Sequence, residues 1–277
     1  MKYLFLFWLF VIAVASEEQR CDVVVIRGDK YEKQVLKTDV HAPYQLAMDY
    51  QTKTLFFSLS AEVGGKTVLK SAYFNLRTNE YGEISGINGG MANAVDSLKH
   101  TVYLGGKDGI YEYDFTTKKA KNLGITDSSI WQMFFCPVHG LFFTTYKPDE
   151  KSFVYHDEQV QPVAGLTDTR TRLIAVGEHH DIFFANSSGL FIYNMHTNVF
   201  INLGDYNVNG FARDVNGKLY FSCPNGIFFP NDIQKKIEPL VLVRDNSIYG
   251  VTFDGDNNMI YASEDSIVRL VPTTKTC

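Results

Sequence analysis

A short motif of bulky apolar residues recurs six times along this chain and constrains its fold more than any other feature. The copies read LFFS, VYLG, LFFT, IFFA, LYFS and IYAS, and each begins 37 to 47 residues after the previous one. A spacing near 40 residues is typical of the four-stranded blades of a β-propeller. The copies occupy residues 55–58, 102–105, 141–144, 182–185, 219–222 and 260–263.

The residues around each copy follow one order. A short strand-like segment of small residues precedes the motif, and a tight turn rich in Asn and Gly follows it. An alternating apolar segment and then a more polar one come next, which is the order of the four strands of a blade. Because no stretch shows a sustained helical period, we expect an all-β fold. The sequence predicts a single-domain, six-bladed β-propeller over residues 16–277.

The two ends of the chain are expected to share one blade. The sixth copy stops after a third strand at residues 266–272, whereas residues 23–39 have the length and texture of a third and fourth strand. We therefore predict that the N-terminal segment completes the last blade and closes the ring. Whether residues 23–27 form the outer strand itself or an additional fifth strand stays open.

The first fifteen residues have the features of a secretory signal peptide. Lys2 precedes a run of about a dozen apolar residues that ends in Ala13, Val14 and Ala15, so we expect cleavage after Ala15. The run is too short to span a bilayer, and no later segment approaches the required length. We expect a secreted, extracellular protein without membrane contact.

Charge and cysteine content limit the partners and the disulfides that we expect of this protein. The formal net charge is −5 and the basic residues are scattered, which argues against a nucleic-acid partner. Four cysteines are too few for a disulfide scaffold, but Cys21 and Cys277 flank the two closing segments and are expected to form a disulfide. We expect Cys136 and Cys223 to be unpaired. Asn186 begins an N-glycosylation sequon and is expected to lie in a surface hairpin.

Two sets of polar residues recur at equivalent positions and resemble catalytic or metal-binding groups. We compare each functional interpretation with a purely structural one. An Asp ends the inner strand in four copies, and we expect these carboxylates to cap turns rather than to act in catalysis. Four histidines fall in turns on one face of the disc, where solvated turn residues are favoured over a metal site. The aspartates are Asp49, Asp96, Asp214 and Asp254, and the histidines are His100, His139, His179 and His180.

The residues that start the six inner strands are expected to ring one opening of the central channel. Aromatic faces and a thioether suit a flat conjugated molecule, an arginine suits a carboxylate, and asparagine amides suit polar edges. The alternative is that these side chains only fill the channel. The ring consists of Tyr44, Met91, Trp131, Arg172, Asn209 and Tyr249, and the predicted binding site adds Asn93 and Arg170.

The stretches DGIYEYDFTTKKAKNLGI and NGKLYFSCPNGIFF, together with the six copies and the closing segment, resemble the insect ommochrome-binding (yellow chromoprotein) family. The resemblance extends over essentially the whole chain but includes no short diagnostic motif, so no family contact residue is transferred. It implies a non-catalytic haemolymph carrier of ommochromes, which are flat, carboxylated, tryptophan-derived phenoxazinone pigments. The pigment is then the bound ligand, no other cofactor or metal is expected, and we expect a monomer.

Two other functions remain open. Six-bladed secreted propellers related to lactonases and esterases hold a divalent ion in the channel through a carboxylate and asparagines, and Asn93 and Asn209 could supply two such ligands. The predicted ring lacks the carboxylates that a hard cation needs. A propeller that binds a protein through its rim loops is the third possibility.

Overall fold

The computed structural model describes residues 22–231, 236–242 and 248–275, and every regular element within them is a β-strand. The strands form six sheets, which confirms the six-bladed propeller. The predicted signal peptide, Cys21 and Cys277 lie outside the described residues. The described residues include no helix of the kind that could cross a membrane.

Blades 1 to 5 each contain four antiparallel strands in sequence order from the channel outwards. The innermost strands of the six blades are β3 (Tyr44–Asp49), β7 (Ala92–Asp96), β11 (Ile130–Cys136), β15 (Leu173–Val176), β19 (Gly210–Arg213) and β23 (Gly250–Phe253). The second strands, which carry the repeated motif, are β4 (Thr54–Val63), β8 (Thr101–Gly106), β12 (Gly140–Thr145), β16 (Ile182–Asn186), β20 (Leu219–Cys223) and β24 (Met259–Ala262).

The third and outer strands are more exposed. The third strands are β5 (Lys66–Asn75), β9 (Gly109–Asp114), β13 (Ser152–His156), β17 (Gly189–Asn194), β21 (Gly226–Asn231) and β25 (Ser266–Pro272). The outer strands of blades 1 to 5 are β6 (Tyr81–Glu83), β10 (Lys119–Asn122), β14 (Gln159–Pro162), β18 (Val199–Gly204) and β22 (Lys236–Leu242).

The last blade contains both ends of the chain, as predicted. Its order from the channel outwards is β23, β24, β25, then β2 (Asp29–Thr38) and finally β1 (Val23–Ile26). The open question is thereby settled: β2 is the fourth strand and β1 is an additional fifth. β2 pairs with β25 from Tyr31 opposite Pro272 to Thr38 opposite Ser266. The ring is therefore closed by backbone hydrogen bonds.

The repeated motif is apolar throughout because its strand is buried on both faces. Leu55, Phe56 and Phe57 are successive residues of β4, and all three are fully buried between neighbouring blades. In contrast, β9 alternates between buried and exposed residues, and β10 is mostly exposed. Burial thus falls from the second strand outwards, and this gradient produces the sequence pattern from which the blades were predicted.

The repeated aspartates cap turns, as expected. Asp96 Oδ1 accepts the backbone N–H groups of Leu98 and Lys99, and Asp214 Oδ1 accepts those of Asn216 and Lys218. Asp49 and Asp254 bind the backbone of their own turns in the same way. These carboxylates hold the turn between the first and second strands of their blades.

The two internal cysteines are unpaired, as predicted. Cys136 ends β11, Cys223 ends β20, and both thiols are free and buried. Burial raises the pKa of the Cys223 thiol to about 12, so this thiol is protonated at neutral pH. This thiol is therefore not suited to act as a nucleophile.

The junction between blades 1 and 2 depends on the absence of a side chain at Gly90. The Gly90 N–H donates to the Leu69 carbonyl at 3.0 Å, and a Cβ at this position would overlap the backbone nitrogen and the hydroxyl of Ser71. We predict that Gly90→Ala lowers the free energy of unfolding by about 1–3 kcal/mol or more, because overpacking forces the backbone apart. Urea denaturation measures the change.

Gly255→Ala is the matched control, since the nearest atoms to its added methyl, in Tyr50, lie 3.9 Å away. We expect a change within about 0.5 kcal/mol for this variant. Equal stability of the two variants would contradict the close packing of blades 1 and 2 at Gly90.

The predicted Cys21–Cys277 disulfide stays a prediction, but described residues close to the two cysteines in sequence both contact β2. The Asp22 carbonyl accepts the Lys33 N–H at 2.8 Å, and Lys275 Nζ lies 2.6 Å from Glu32 Oε1. The two ends of the described chain thus meet adjacent residues of β2. We predict a Cys21–Cys277 peptide in a non-reducing digest and a lower melting temperature after reduction, because such a bridge removes up to ~5 kcal/mol of loop entropy. Recovery of both cysteines as free thiols from the exported protein would contradict the prediction.

Candidate ligand-binding site

The six predicted ring residues all lie where the inner strands begin. Tyr44 is the first residue of β3, Trp131 is the second residue of β11, and the other four directly precede their strands. Since the inner strands β3, β7, β11, β15, β19 and β23 contact one another in a closed ring, their starts surround one end of the channel. We call this end the upper opening, and the end where the inner strands finish the lower opening.

An aromatic cluster crosses the upper part of the channel. The rings of Tyr44, from blade 1, and Trp131, from blade 3, have centroids 6.3 Å apart at an interplanar angle of 31°. Tyr146 also packs against Trp131, with ring centroids 5.2 Å apart. Ring pairs at these distances attract one another beyond their burial alone. The cluster occupies the channel and also presents aromatic surface at the upper opening.

Two polar atoms of the cluster are buried without a hydrogen bond. Neither Tyr44 Oη nor Trp131 Nε1 has a partner among the described residues. Burial raises the pKa of the Tyr44 phenol well above its ordinary value, so the group is neutral. The nearby Ser58 hydroxyl opposes that shift, although the two groups do not meet the geometry of a hydrogen bond. Unpaired buried donors are rare in proteins, so these two groups remain available to a water molecule or a ligand.

A cleft of about 230 Å³ opens beside this cluster between blades 3 and 4. Trp131 and Tyr146 supply its aromatic wall, while Arg172, Lys147 and Glu150 supply its charges. The backbone of Arg172 is fixed on both sides: its N–H donates to the Ala185 carbonyl at 2.9 Å, and its carbonyl accepts the Thr144 hydroxyl at 2.8 Å. Because two cations and only one carboxylate line the cleft, it favours a ligand that carries an anionic group next to a flat aromatic one.

Three other residues predicted for the site do not line the cleft with Trp131 and Arg172. Met91 is buried, Tyr249 packs against the apolar core around Leu46, and Arg170 is exposed. The Arg170 carbonyl accepts a hydrogen bond from Asn186 Nδ2 at 3.1 Å. Asn186 lies in the β16–β17 hairpin, as predicted, and this hairpin is on the side of the upper opening.

The two asparagines use their amides to join blades. Asn93 Nδ2 donates to the Gln45 carbonyl at 2.9 Å and to Ser58 Oγ at 3.0 Å, and Asn209 Nδ2 donates to the Ile248 carbonyl at 2.7 Å. The described residues contain no group of three or more His, Cys, Asp or Glu side chains arranged to hold a metal ion. A divalent cation needs several oxygen ligands, carboxylates above all. The two asparagine amides do not supply such a set.

Sequence reasoning missed the residues of the β12–β13 hairpin. Tyr146, Lys147 and Glu150 complete the cleft, yet they belong to a loop rather than to the start of a strand. One signal could have identified them: the hairpins of most other blades turn over two residues, whereas YKPDEK lengthens this one. An extended hairpin next to the channel is a common place for binding residues.

The turn histidines lie at the lower opening, away from the cleft. His139 Nε2 is 3.1 Å from His180 Nδ1, and His100 Nδ1 is 3.1 Å from Asp49 Oδ1. Partial burial and the neighbouring His180 lower the pKa of His139, which favours the neutral form of this imidazole. The expectation that all four histidines occupy turns on one face is confirmed.

Comparison with known proteins gives one strong relative and many structural neighbours. The ommochrome-binding protein of Manduca sexta is 56% identical over 255 residues, which cover 92% of each chain. A gluconolactonase from Xanthomonas campestris has a TM-score of 0.68 at 12% identity, covering 88% of this chain and 90% of that one. Streptogramin B lyase has a TM-score of 0.56 at 12% identity, covering 88% and 97%. No family model matches the chain.

Proposed function

The chain belongs to the ommochrome-binding protein family, and from that premise we propose that it is a non-catalytic carrier that binds an ommochrome without a covalent bond. The observation that carries the proposal is the 56% identity to a protein of that name over nearly the whole of both chains. We propose the cleft at the upper opening as the binding site.

The chemistry of the cleft supports this placement. An ommochrome is flat, so its faces suit contact with Trp131 and Tyr146, whose rings lie 5.2 Å apart at a tilt of 45°. Its carboxylate suits Arg172, with Lys147 on the same cleft. A charge-assisted hydrogen bond of this kind is worth about 1.5–3 kcal/mol, and an aromatic contact adds about 0.5–1.5 kcal/mol beyond burial. The cleft is smaller than a whole drug-sized site, so part of the pigment would remain exposed.

A carrier is favoured over an enzyme because the aspartates and asparagines that could act in catalysis already make hydrogen bonds within the protein. The four repeated aspartates bind the backbone of their own turns, and the amides of Asn93 and Asn209 bind neighbouring carbonyls and a serine hydroxyl. The likeness to a gluconolactonase, at 12% identity, concerns the fold alone. The proposal therefore includes no catalytic residue and no metal.

We further propose that the protein is exported to the haemolymph as a monomer and carries a glycan at Asn186. Expression in insect cells should release it into the medium with an N-terminus at Ser16, and Asn186→Gln should increase its electrophoretic mobility. Because the Asn186 side chain bonds the backbone of Arg170 and Ser188 and does not line the cleft, we expect the variant to keep its pigment affinity. An intracellular product that starts at Met1 would contradict the export proposal.

The pigment proposal predicts a ranking of two variants against two ligands. Arg172→Ala should weaken binding of a carboxylated ommochrome by about tenfold or more and spare a decarboxylated analogue, since only the first presents the charge. Trp131→Ala should weaken both, because it removes the aromatic wall. Titrations followed by pigment absorbance measure all four affinities.

Arg77→Ala and Phe200→Ala serve as controls, because Arg77 is an exposed turn residue and Phe200 an exposed aromatic on the outer strand of blade 4. Both should retain the affinity of the unmodified protein for both ligands. Wild-type affinity of Arg172→Ala and Trp131→Ala for both pigments would remove the upper cleft as the binding site.

A further inference from the structure

A second and larger cavity opens at the other end of the channel. Its volume is about 440 Å³, within the range of small-molecule sites. Its walls are aromatic and thioether side chains from the inner strands of blades 1, 3 and 5 and from the turn after β3. They are Met48, Tyr50, Met133, Phe134 and Phe211.

Aliphatic side chains at the rim of this cavity are unusually exposed. Leu98 is 82% exposed and Val215 is 43% exposed, and both line the cavity. They come from equivalent turns of blades 2 and 5, each the turn between the first and second strands. Scattered apolar residues are common on protein surfaces, but an exposed apolar rim continuous with a buried apolar cavity is typical of a binding site.

The charged groups in the cavity wall are already satisfied. Arg213 donates from Nη2 to the carbonyls of Val176 at 2.7 Å and Gly177 at 3.0 Å, and its guanidinium lies 5.6 Å from the centre of the Phe134 ring. Its neighbour Asp214 caps a turn through two backbone N–H groups at 2.9 Å. One cation and one carboxylate line the cavity, and each already bonds backbone groups, so a charged ligand would gain little here and would lose its hydration.

One buried acceptor in the wall lacks a partner. Asn93 is 3% exposed and lines the cavity, and its Oδ1 has no hydrogen bond among the described residues, although its Nδ2 makes two. The amide is therefore fixed in orientation by its nitrogen. A ligand with a single N–H or O–H donor would match the remaining acceptor.

We propose that the lower opening is a second small-molecule site, which takes an uncharged planar aromatic compound with one hydrogen-bond donor. This site goes beyond the proposed pigment carrier, and its ligand differs from the pigment in charge. The Tyr44–Trp131 pair lies across the channel on the side of the upper opening, so the two sites have separate entrances. Methionine and phenylalanine walls adapt to flat ligands of different outline, which fits a scavenging or co-transport role.

The test uses N-phenyl-1-naphthylamine, which is uncharged, aromatic and has one N–H, together with its sulfonated analogue 8-anilinonaphthalene-1-sulfonate. We expect saturable binding of the uncharged dye with increased fluorescence, and at least tenfold weaker binding to the double variant Leu98→Asp, Val215→Asp. Both positions are exposed, so these changes should not prevent folding. Val199→Asp, at an exposed aliphatic residue of β18, is the matched control and should bind the dye normally.

Three outcomes would overturn the proposal: no saturable binding of the uncharged dye, equal affinity in the double variant, or a preference of the lower opening for the sulfonated dye. Sedimentation of the unmodified protein and the double variant supplies a fourth such outcome. If the unmodified protein is a dimer and the double variant a monomer, this rim is a protein interface.

Saturating the protein with a carboxylated ommochrome distinguishes the two proposals. Displacement of the dye by pigment, with weaker pigment binding to the double variant, would place the pigment at the lower opening and contradict both sites. Dye binding without any pigment binding would contradict the carrier alone.

Discussion

The pairing of β2 with β25 is the interaction on which the rest of the structure depends. It joins residues near the two ends of the chain, from Tyr31 opposite Pro272 to Thr38 opposite Ser266. Side chains strengthen it: Arg269 donates to Gln34 Oε1 at 2.7 Å and reaches Asp254 Oδ2 at 3.4 Å. Arg269 thereby links Asp254, which caps the turn between the first two strands of the last blade, to β2, the strand that closes the ring. Without this closure, blade 6 would be held against blade 1 by side-chain packing alone.

A closed ring of six inner strands leaves a channel that must be filled. Large side chains from blades 1 and 3 meet across its upper part, where Tyr44 and Trp131 lie 6.3 Å apart. The chemistry of the two ends divides at this contact: a charged, aromatic cleft adjoins it at the upper opening, and a mostly apolar cavity opens at the lower one. The division follows from the residues at the starts and ends of the inner strands: cations lie beside the upper cleft, whereas the aspartates at the lower end are used by their own turns. In our proposal, one scaffold therefore offers two sites of different chemistry.

The number of blades could be predicted because the second strand of each is buried on both faces and must be apolar throughout, as Leu55 to Phe57 illustrate. The position of the ring residues also followed from the repeat, since inner strands have to start at one opening. Side-chain direction did not follow from it. Tyr249 packs into the core, and the amide nitrogens of Asn93 and Asn209 bind backbone carbonyls, because contacts with neighbouring blades outweigh the channel at those positions. The fifth strand β1 could not be distinguished from a fourth, since an edge strand needs only one buried face. Tyr146 and Leu98 lie in turns, where the repeat carries no information.

The central claim is that the upper opening binds the pigment, and a crystal structure of the protein with an ommochrome bound tests it most directly. We predict density for a planar ring system against Trp131 and Tyr146, with a carboxylate within hydrogen-bond distance of the Arg172 guanidinium. Such a complex would also reveal whether Trp131 Nε1 and Tyr44 Oη gain partners. Pigment density confined to the lower opening or to the outer surface of a blade, with the upper cleft unchanged, would contradict the account.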